Sequence, residues 1–366
     1  MITKKFSVLI AVLLISTGIY GQKKSNKSAK FHYGGRVEVV AEDYVVLIGS
    51  ASSVSYDFEG DACKISLEAI DDYSHHNFVS LELDGQYLGR FVVEQGGVQQ
   101  LEVPVTNKQK KHHLSIYKAT EAANGKVIYR GTTAKVVKSQ LPKRKKIEFI
   151  GDSITCGYGN DTAAIPCGKG FWFDQHNGYL AYGPVLSRAL GVDFVLSSVS
   201  GYGMYRNWND DHVEQPNLPD VYPNLYLNKD NSKPYSSEFQ PDLVSICLGT
   251  NDLSNGDGKK VRLPFDQEKY IDNYVKFIQT VYSRYPKTKI ILLNSPMVSG
   301  ERNDLLVKCL KKVIAAFDTD LVHSKIQLFE FQAMSPAGCG YHPSIEDDVV
   351  MANQLQTVFK KLVNEK

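Results

Sequence analysis

Ser153, Gly201, Asn251 and His342 are the residues of this chain whose types suit them jointly to one reaction, the transfer of an acyl group. That reaction needs a hydroxyl that attacks, a base that takes its proton, and N–H donors for the oxygen that turns negative. Ser153 follows Gly151-Asp152 in a glycine-rich turn and supplies the hydroxyl, which is a weak nucleophile near neutrality without a base beside it. His342 is the candidate base, because an imidazole near its free pKa can accept a proton and return it. Asn251 can aim its side-chain amide at the oxyanion, joined by the backbone N–H groups of Ser153 and Gly201, where a glycine permits close approach. On its own the Gly-Asp-Ser tripeptide reads more readily as a helix N-cap than as a catalyst, since Asp or Ser after a strand satisfies orphan N–H groups.

The elements around these residues are what bring them together. Lys146 to Ile150 is an apolar strand ending at Gly151, and further strands are expected at Val192 to Ser197, Asp242 to Cys247, Lys289 to Leu293 and Ile326 to Phe331. Between them lie helical patterns: Tyr179 to Leu190, Gln267 to Tyr285 with Tyr270, Tyr274, Val275, Ile278, Val281 and Tyr282 on one face, and a stripe from Leu305 to Phe317. Ser344 caps a last helix, with Glu346 and Asp347 in its first turn. Strand alternating with helix predicts a parallel sheet with helices on both faces, and in such sheets ligands bind at the carboxyl ends of the strands. Ser153 follows the first of these strands, Gly201 the second, Asn251 the third, and His342 comes after the fifth.

Upstream the pattern is different. Short β-type runs separated by polar turns occupy 29–137, with Asp84-Gly85 suited to a tight hairpin, and predict an all-β sandwich or jelly roll. Residues 138–145, with Pro142 and a cluster of basic side chains, read as a linker, leaving 146–366 as the α/β domain. At the other end, Lys4 and Lys5 precede an apolar run from Phe6 to Ile19, which marks 1–21 as a signal peptide followed by a flexible Lys- and Ser-rich leader over 22–28. The apolar run is shorter than the ~20 residues of a membrane span, so the expectation is export to the periplasm or the medium with no stable membrane span.

Forty-two basic and 40 acidic residues in 366 leave a net charge of +2, which gives no general attraction to nucleic acid and favours a neutral substrate. Of the six cysteines, Cys247 and Cys309 lie in apolar runs and read as buried hydrophobes, while Cys156, Cys167 and Cys339 fall in loops where a bridge can form. The pairs His75-His76 and His112-His113 are expected on an exposed polar edge, since adjacent histidines do not share a helical face suited to a metal. Neither a metal nor a cofactor is expected.

Four segments, Gly151-Asp-Ser-Ile154, Ser200-Gly-Tyr-Gly203, Gly249-Thr-Asn-Asp252 and His342-Pro343, resemble in order the four blocks of the SGNH (GDSL-like) hydrolases. Transferred residue by residue, the resemblance implies Ser153 as nucleophile and first oxyanion donor, Gly201 and Asn251 as the other donors, and His342 as base. Longer strings, among them Ile147 to Gly159, Asn177 to Tyr182, Gly201 to Asn207 and Leu218 to Tyr222, together with the β domain ahead of them, resemble carbohydrate esterase family two. That likeness implies a jelly roll followed by a three-layer parallel-sheet hydrolase domain, and the removal of O-acetyl groups from acetylated polysaccharide or oligosaccharide of the xylan or glucomannan type. One departure stands out: SGNH enzymes commonly carry an aspartate two or three residues before the histidine, where this chain has Gly340 and Cys339. The reading is a Ser-His dyad whose imidazole is oriented by a backbone carbonyl, with Glu330 as a lesser substitute. Asn177, Tyr205, Arg206 and Trp208 are expected to contact the sugar, the rings by stacking on its apolar faces. Two alternatives stand beside this reading: a glycan-binding protein whose cleft does not turn over, and an esterase of the same fold acting on longer acyl chains.

Overall fold

The computed structural model describes residues 29–365 apart from 72, 107–108, 211–214 and 333. The segments expected to be a signal peptide and leader lie outside the described residues. No helix among the described residues is long and apolar enough to cross a membrane.

The first half is built from strands that alternate inward and outward side chains. In order they are β1 (Phe31–Gly34), β2 (Val37–Ala41), β3 (Tyr44–Leu47), β4 (Ser53–Glu59), β5 (Cys63–Ile70) and β6 (Asn77–Leu83). They continue with β7 (Gln86–Val93), β8 (Gln99–Val103), β9 (Lys111–Lys118), β10 (Lys126–Thr132) and β11 (Lys135–Val137). All pair antiparallel into two sheets, β1-β4-β9-β6-β7 with β11 beside β4, and β2-β3-β10-β5-β8. In β4 every second residue, Val54, Tyr56 and Phe58, is buried, and these meet Cys63, Ile65 and Leu67 of β5 in a single core between the sheets. A side chain of this kind contributes about 1.5–3 kcal/mol when fully buried. Asp84 and Gly85 both have positive φ (55° and 79°), the pair a tight β6–β7 hairpin requires.

The histidine pairs do not form the exposed edge expected of them. His112 is buried and lies 2.7 Å from Asp84, His113 is 2.6 Å from Asp57, and His76 is 2.7 Å from Asp174. Alternation along β9 turns one histidine of the 112–113 pair inward, and each ring found a carboxylate partner. Among the described residues no group of three His, Cys, Asp or Glu is placed to hold a metal.

The second half alternates strand and helix: β12 (Lys146–Gly151), α1 (Ser153–Cys156), α2 (Tyr182–Leu190), β13 (Asp193–Ser198), α3 (Leu218–Val221), β14 (Leu243–Cys247), α4 (Gln267–Arg284), β15 (Lys289–Leu293), α5 (Glu301–Ala315), β16 (Gln327–Phe329) and α6 (Ile345–Asn364). Its sheet is parallel in the order β13-β12-β14-β15-β16. β14 is buried at every position, as a central strand covered on both faces must be. Val244 and Ile246 face the core under α4 and α5, whereas Leu243 and Cys247 face the one under α2 and α6. The single helix expected from Tyr179 to Leu190 is broken: a short 3₁₀ turn ends at Leu180, Ala181 is extended, and α2 starts at Tyr182, whose N–H donates to Asp348.

Hydrogen bonds stitch the halves together below the surface. Arg36, fully buried on the β side, donates to Ser197 Oγ at 3.0 Å, Tyr222 O at 3.0 Å and Asn224 O at 2.7 Å. Ser50 Oγ donates to Cys156 O at 2.6 Å, and the Gly178 N–H to Ala119 O at 2.8 Å.

Candidate active site

Ser153 stands where β12 hands over to α1. Asp152 is the N-cap of that single-turn helix, its carboxylate accepting the Ile154 N–H, and Gly157 closes the turn in the left-handed region. The capping and chemical readings of Gly-Asp-Ser therefore fall on different residues, the cap on Asp152 and the hydroxyl on Ser153. A side chain at Gly151 would collide with Thr155. As the first residue of a helix, Ser153 also has an N–H without an intrahelical acceptor.

His342 Nε2 lies 2.7 Å from Ser153 Oγ, and its Nδ1 lies 2.9 Å from Gly340 O. A carbonyl only accepts, so the Nδ1 proton is placed there and Nε2 is left with a lone pair toward the serine. Burial pushes the imidazole down to about 4, against the opposing pull of the Gly340 carbonyl. The loop carrying His342 is tied down by the Cys167–Cys339 disulfide, by the Cys339 N–H donating to Gly159 O at 2.9 Å, and by Tyr158, whose ring centroid is 4.3 Å from that of His342. Cys156, the third loop cysteine considered for a bridge, is a buried free thiol at the end of α1. Glu330 is elsewhere, 3.3 Å from Lys311 beside α5.

The Gly201 and Asn251 turns converge on the same point. Gly201 has φ 79°. Asn251 Nδ2 donates to Tyr202 O at 2.9 Å and to Asp152 Oδ2 at 3.2 Å, so the cap residue also steers the amide. Burial raises Asp152 to about 7, offset in part by the Ile154 N–H. The neighbouring Asp252, fully buried, accepts the N–H groups of Met204, Tyr205 and Arg206 and so fastens the second turn to the third.

Ser153, Gly201, Asn251 and His342 line one cleft of about 1070 Å³. Its walls include Tyr158, Trp172 and Trp208, with both tryptophans about half exposed (49% and 48%). Of the four expected sugar contacts only Trp208 lies there. Asn177 is fully buried, its amide engaged with Ser80, Tyr87 and Asp161 between the two domains. Tyr205 is 3% exposed and its hydroxyl accepts the Asp266 N–H, while Arg206 donates to the carbonyls of Asp252 and Leu263. All three brace the loops, because polar groups this deep must be paired within the protein. Met297, Val298 and Arg302, from the loop after β15 and the start of α5, complete the cleft and were not foreseen. The strand-end rule that located the other segments applies to that loop as well, but it holds no residue type that singles it out.

Residues 149–334 match the GDSL-like lipase/acylhydrolase family, and residues 33–142 match the carbohydrate esterase 2 N-terminal domain. Fold and matches together define a carboxylic ester hydrolase with a parallel α/β sheet behind an antiparallel β domain. An acetylxylan esterase / glucomannan deacetylase of Cellvibrio japonicus is 30% identical over 359 residues, 95% of each chain. The cellulase/esterase CelE of Acetivibrio thermocellus is 28% identical over 90% of this chain, which spans 39% of that larger protein. A solved family two carbohydrate esterase from Clostridium thermocellum, in complex with cellohexaose, superposes with a TM-score of 0.79 at 27% identity, covering 90% of this chain and 98% of that one. The chain belongs to carbohydrate esterase family 2.

Proposed function

We propose that this protein removes O-acetyl groups from an acetylated polysaccharide through an acyl-enzyme on Ser153, with His342 as base and no carboxylate behind it. The observation that carries the proposal is the Ser153–His342 hydrogen bond with Nδ1 held on the Gly340 carbonyl, at the base of a ring-walled cleft. Ser153 Oγ attacks the acetyl carbonyl carbon as its proton passes to His342 Nε2. The oxygen that becomes negative is received by the N–H groups of Ser153 and Gly201 and by Asn251 Nδ2, each such donor contributing on the order of 10²–10³ in rate. Asn251 frees one N–H for that hydrogen bond by relaxing the longer bond to Asp152. Collapse breaks the C–O bond to the sugar, and the imidazolium protonates the departing alkoxide oxygen, which leaves as the sugar hydroxyl. Water then repeats the sequence on the acetyl-serine, regenerating the enzyme and releasing acetate.

The likeness to esterases of xylan and glucomannan and to a cellohexaose complex supports a glycan as the acyl carrier. Trp172 and Trp208 offer faces on which a sugar ring stacks. Export is part of the proposal, supported by the pattern of residues 1–21 and by the Cys167–Cys339 bridge, which belongs to an oxidising compartment. The experiment is acetate release from acetylated xylan and acetylated glucomannan by the wild-type protein and by Ser153→Ala. Release by wild type alone is expected, and no release from either polymer or from a nitrophenyl acetate would favour the binding-only alternative that the missing acid suggests. Turnover that holds up from acetate to long acyl esters would instead favour the lipase-like reading.

A further inference from the structure

Glu121 is a fully buried carboxylate on the β domain that the reaction as written above does not use. It stands just before the 3₁₀ turn Ala122–Asn124 as its N-cap, yet makes no side-chain capping bond there. The side chain instead crosses into the hydrolase domain. Its Oε2 accepts the Ser200 N–H at 2.7 Å and lies 3.4 Å from Cys156 Sγ at the end of α1. Its other oxygen is 3.6 Å from His176 Nε2, longer than a hydrogen bond, and neither atom has another partner among the described residues. Lys118, also fully buried, braces the backbone beneath by donating to the carbonyls of Thr120 and Glu121. Burying a carboxylate with one oxygen short of partners is expensive, and an apolar residue of the same size would fill the space at lower cost.

What the carboxylate holds is the turn that bears Gly201. The Val199 N–H is fixed on Gly151 O at 3.3 Å, the Ser200 N–H on Glu121, and the Gly201 carbonyl receives the Trp208 N–H at 2.7 Å. Between these anchors the Gly201 N–H has no protein acceptor among the described residues, and Gly201 lines the cleft. We propose that Glu121 is a positioning residue of the esterase site: by fixing the Ser200 N–H from the other domain, it aims the adjacent Gly201 N–H at the oxyanion. The inference rests on the reading of Ser153 and Gly201 given above. Burial works to raise the Glu121 carboxyl, but the neighbouring His176 and the Ser200 N–H more than reverse this and hold it below the ordinary carboxylate value, so the anchor is charged.

The test is Glu121→Met, which keeps the volume and removes the acceptor, beside Glu121→Gln, which restores a neutral one. With nitrophenyl acetate and Ser153 titrated by a phosphonate, Glu121→Met should lower kcat per titrated serine about 10- to 100-fold with KM within about threefold, the pattern of a contact felt only in the transition state. Glu121→Gln should recover most of the loss. A merely structural role would lower the melting temperature and the titrated fraction without changing kcat per titrated serine, and that result overturns the proposal. Should Glu121→Met fail to fold, the Ser200 amide of the wild-type protein, seen by 15N-serine labelling, decides: a strongly downfield, slowly exchanging proton is expected, and an ordinary shift with fast exchange overturns it. Ser153→Ala separates the two readings, because its full activity would sink the proposed function, whereas its inactivity beside a wild-type Glu121→Met would sink only this inference.

Discussion

On the proposed reading a single atom decides how His342 works: the carbonyl oxygen of Gly340, 2.9 Å from Nδ1, in place of an acid. It fixes the tautomer as a carboxylate would, but brings no full charge to stabilise the imidazolium. In the proposed reaction His342 must be neutral to act as base, and neutral histidine exists above its pKa. With that pKa pushed down to about 4, kcat/KM should stay high well below 6.5 and fall only as the pH drops toward the lowered value. A pH profile of kcat/KM checks this, and an acid limb at or above 6.5 would contradict it. Gly340→Asp probes the same atom. A Cβ there would sit 3.6 Å from His342 Nδ1, within reach for a carboxylate, but at φ 61° the residue pays roughly 1–2 kcal/mol of backbone strain. Because the ring is already held, turnover should change by less than about tenfold while thermal stability falls. A gain near the 10⁴ associated with a triad acid would show that orientation alone does not suffice.

At the scale of elements, the loops after β12 and β13 are held by carboxylates on their backbone N–H groups, and the His342 loop has a covalent bond in addition to the Asp347 carboxylate, which accepts its Ala337 and Ser344 N–H groups. Cys167→Ser removes a cross-link across 172 residues, so a loss of about 2–5 kcal/mol in unfolding free energy is expected, together with reduced kcat as the His342 loop loses its tether. Denaturant titration and kinetics of the variant check it, and unchanged values in both would refute the role. The same scale shows what the sequence made legible. Strand and helix periods placed every strand of the parallel sheet to within a few residues, and the strand-end rule placed Ser153, Gly201, Asn251 and His342 on one rim. Asn177, Tyr205 and Arg206 were misread because residue type records hydrogen-bonding capacity and says nothing of burial; each is a loop brace whose partners lie 16 to 97 residues away. Glu121 carried no local signal at all, since its role comes from a carboxylate reaching an N–H 79 residues on, in another domain.

The whole molecule is less divisible than its two families of elements suggest. Ala51 of the β domain packs within the core of the hydrolase domain, and Arg36, Ser50 and Glu121 all spend their polar groups across the boundary. A fragment of residues 146–366 would open that core and leave Tyr222 O, Asn224 O and the Ser200 N–H facing water. It should therefore express as insoluble or loosely packed protein with no esterase activity, measured by circular dichroism and nitrophenyl acetate turnover, and a soluble, active fragment would show the boundary to be dispensable. The buried Arg36 has a bearing on inheritance as well. A recombination event that joined this hydrolase half to a foreign β domain would set three unmatched acceptors against a surface that never evolved to meet them. On these contacts the two halves are expected to be exchanged together and not singly.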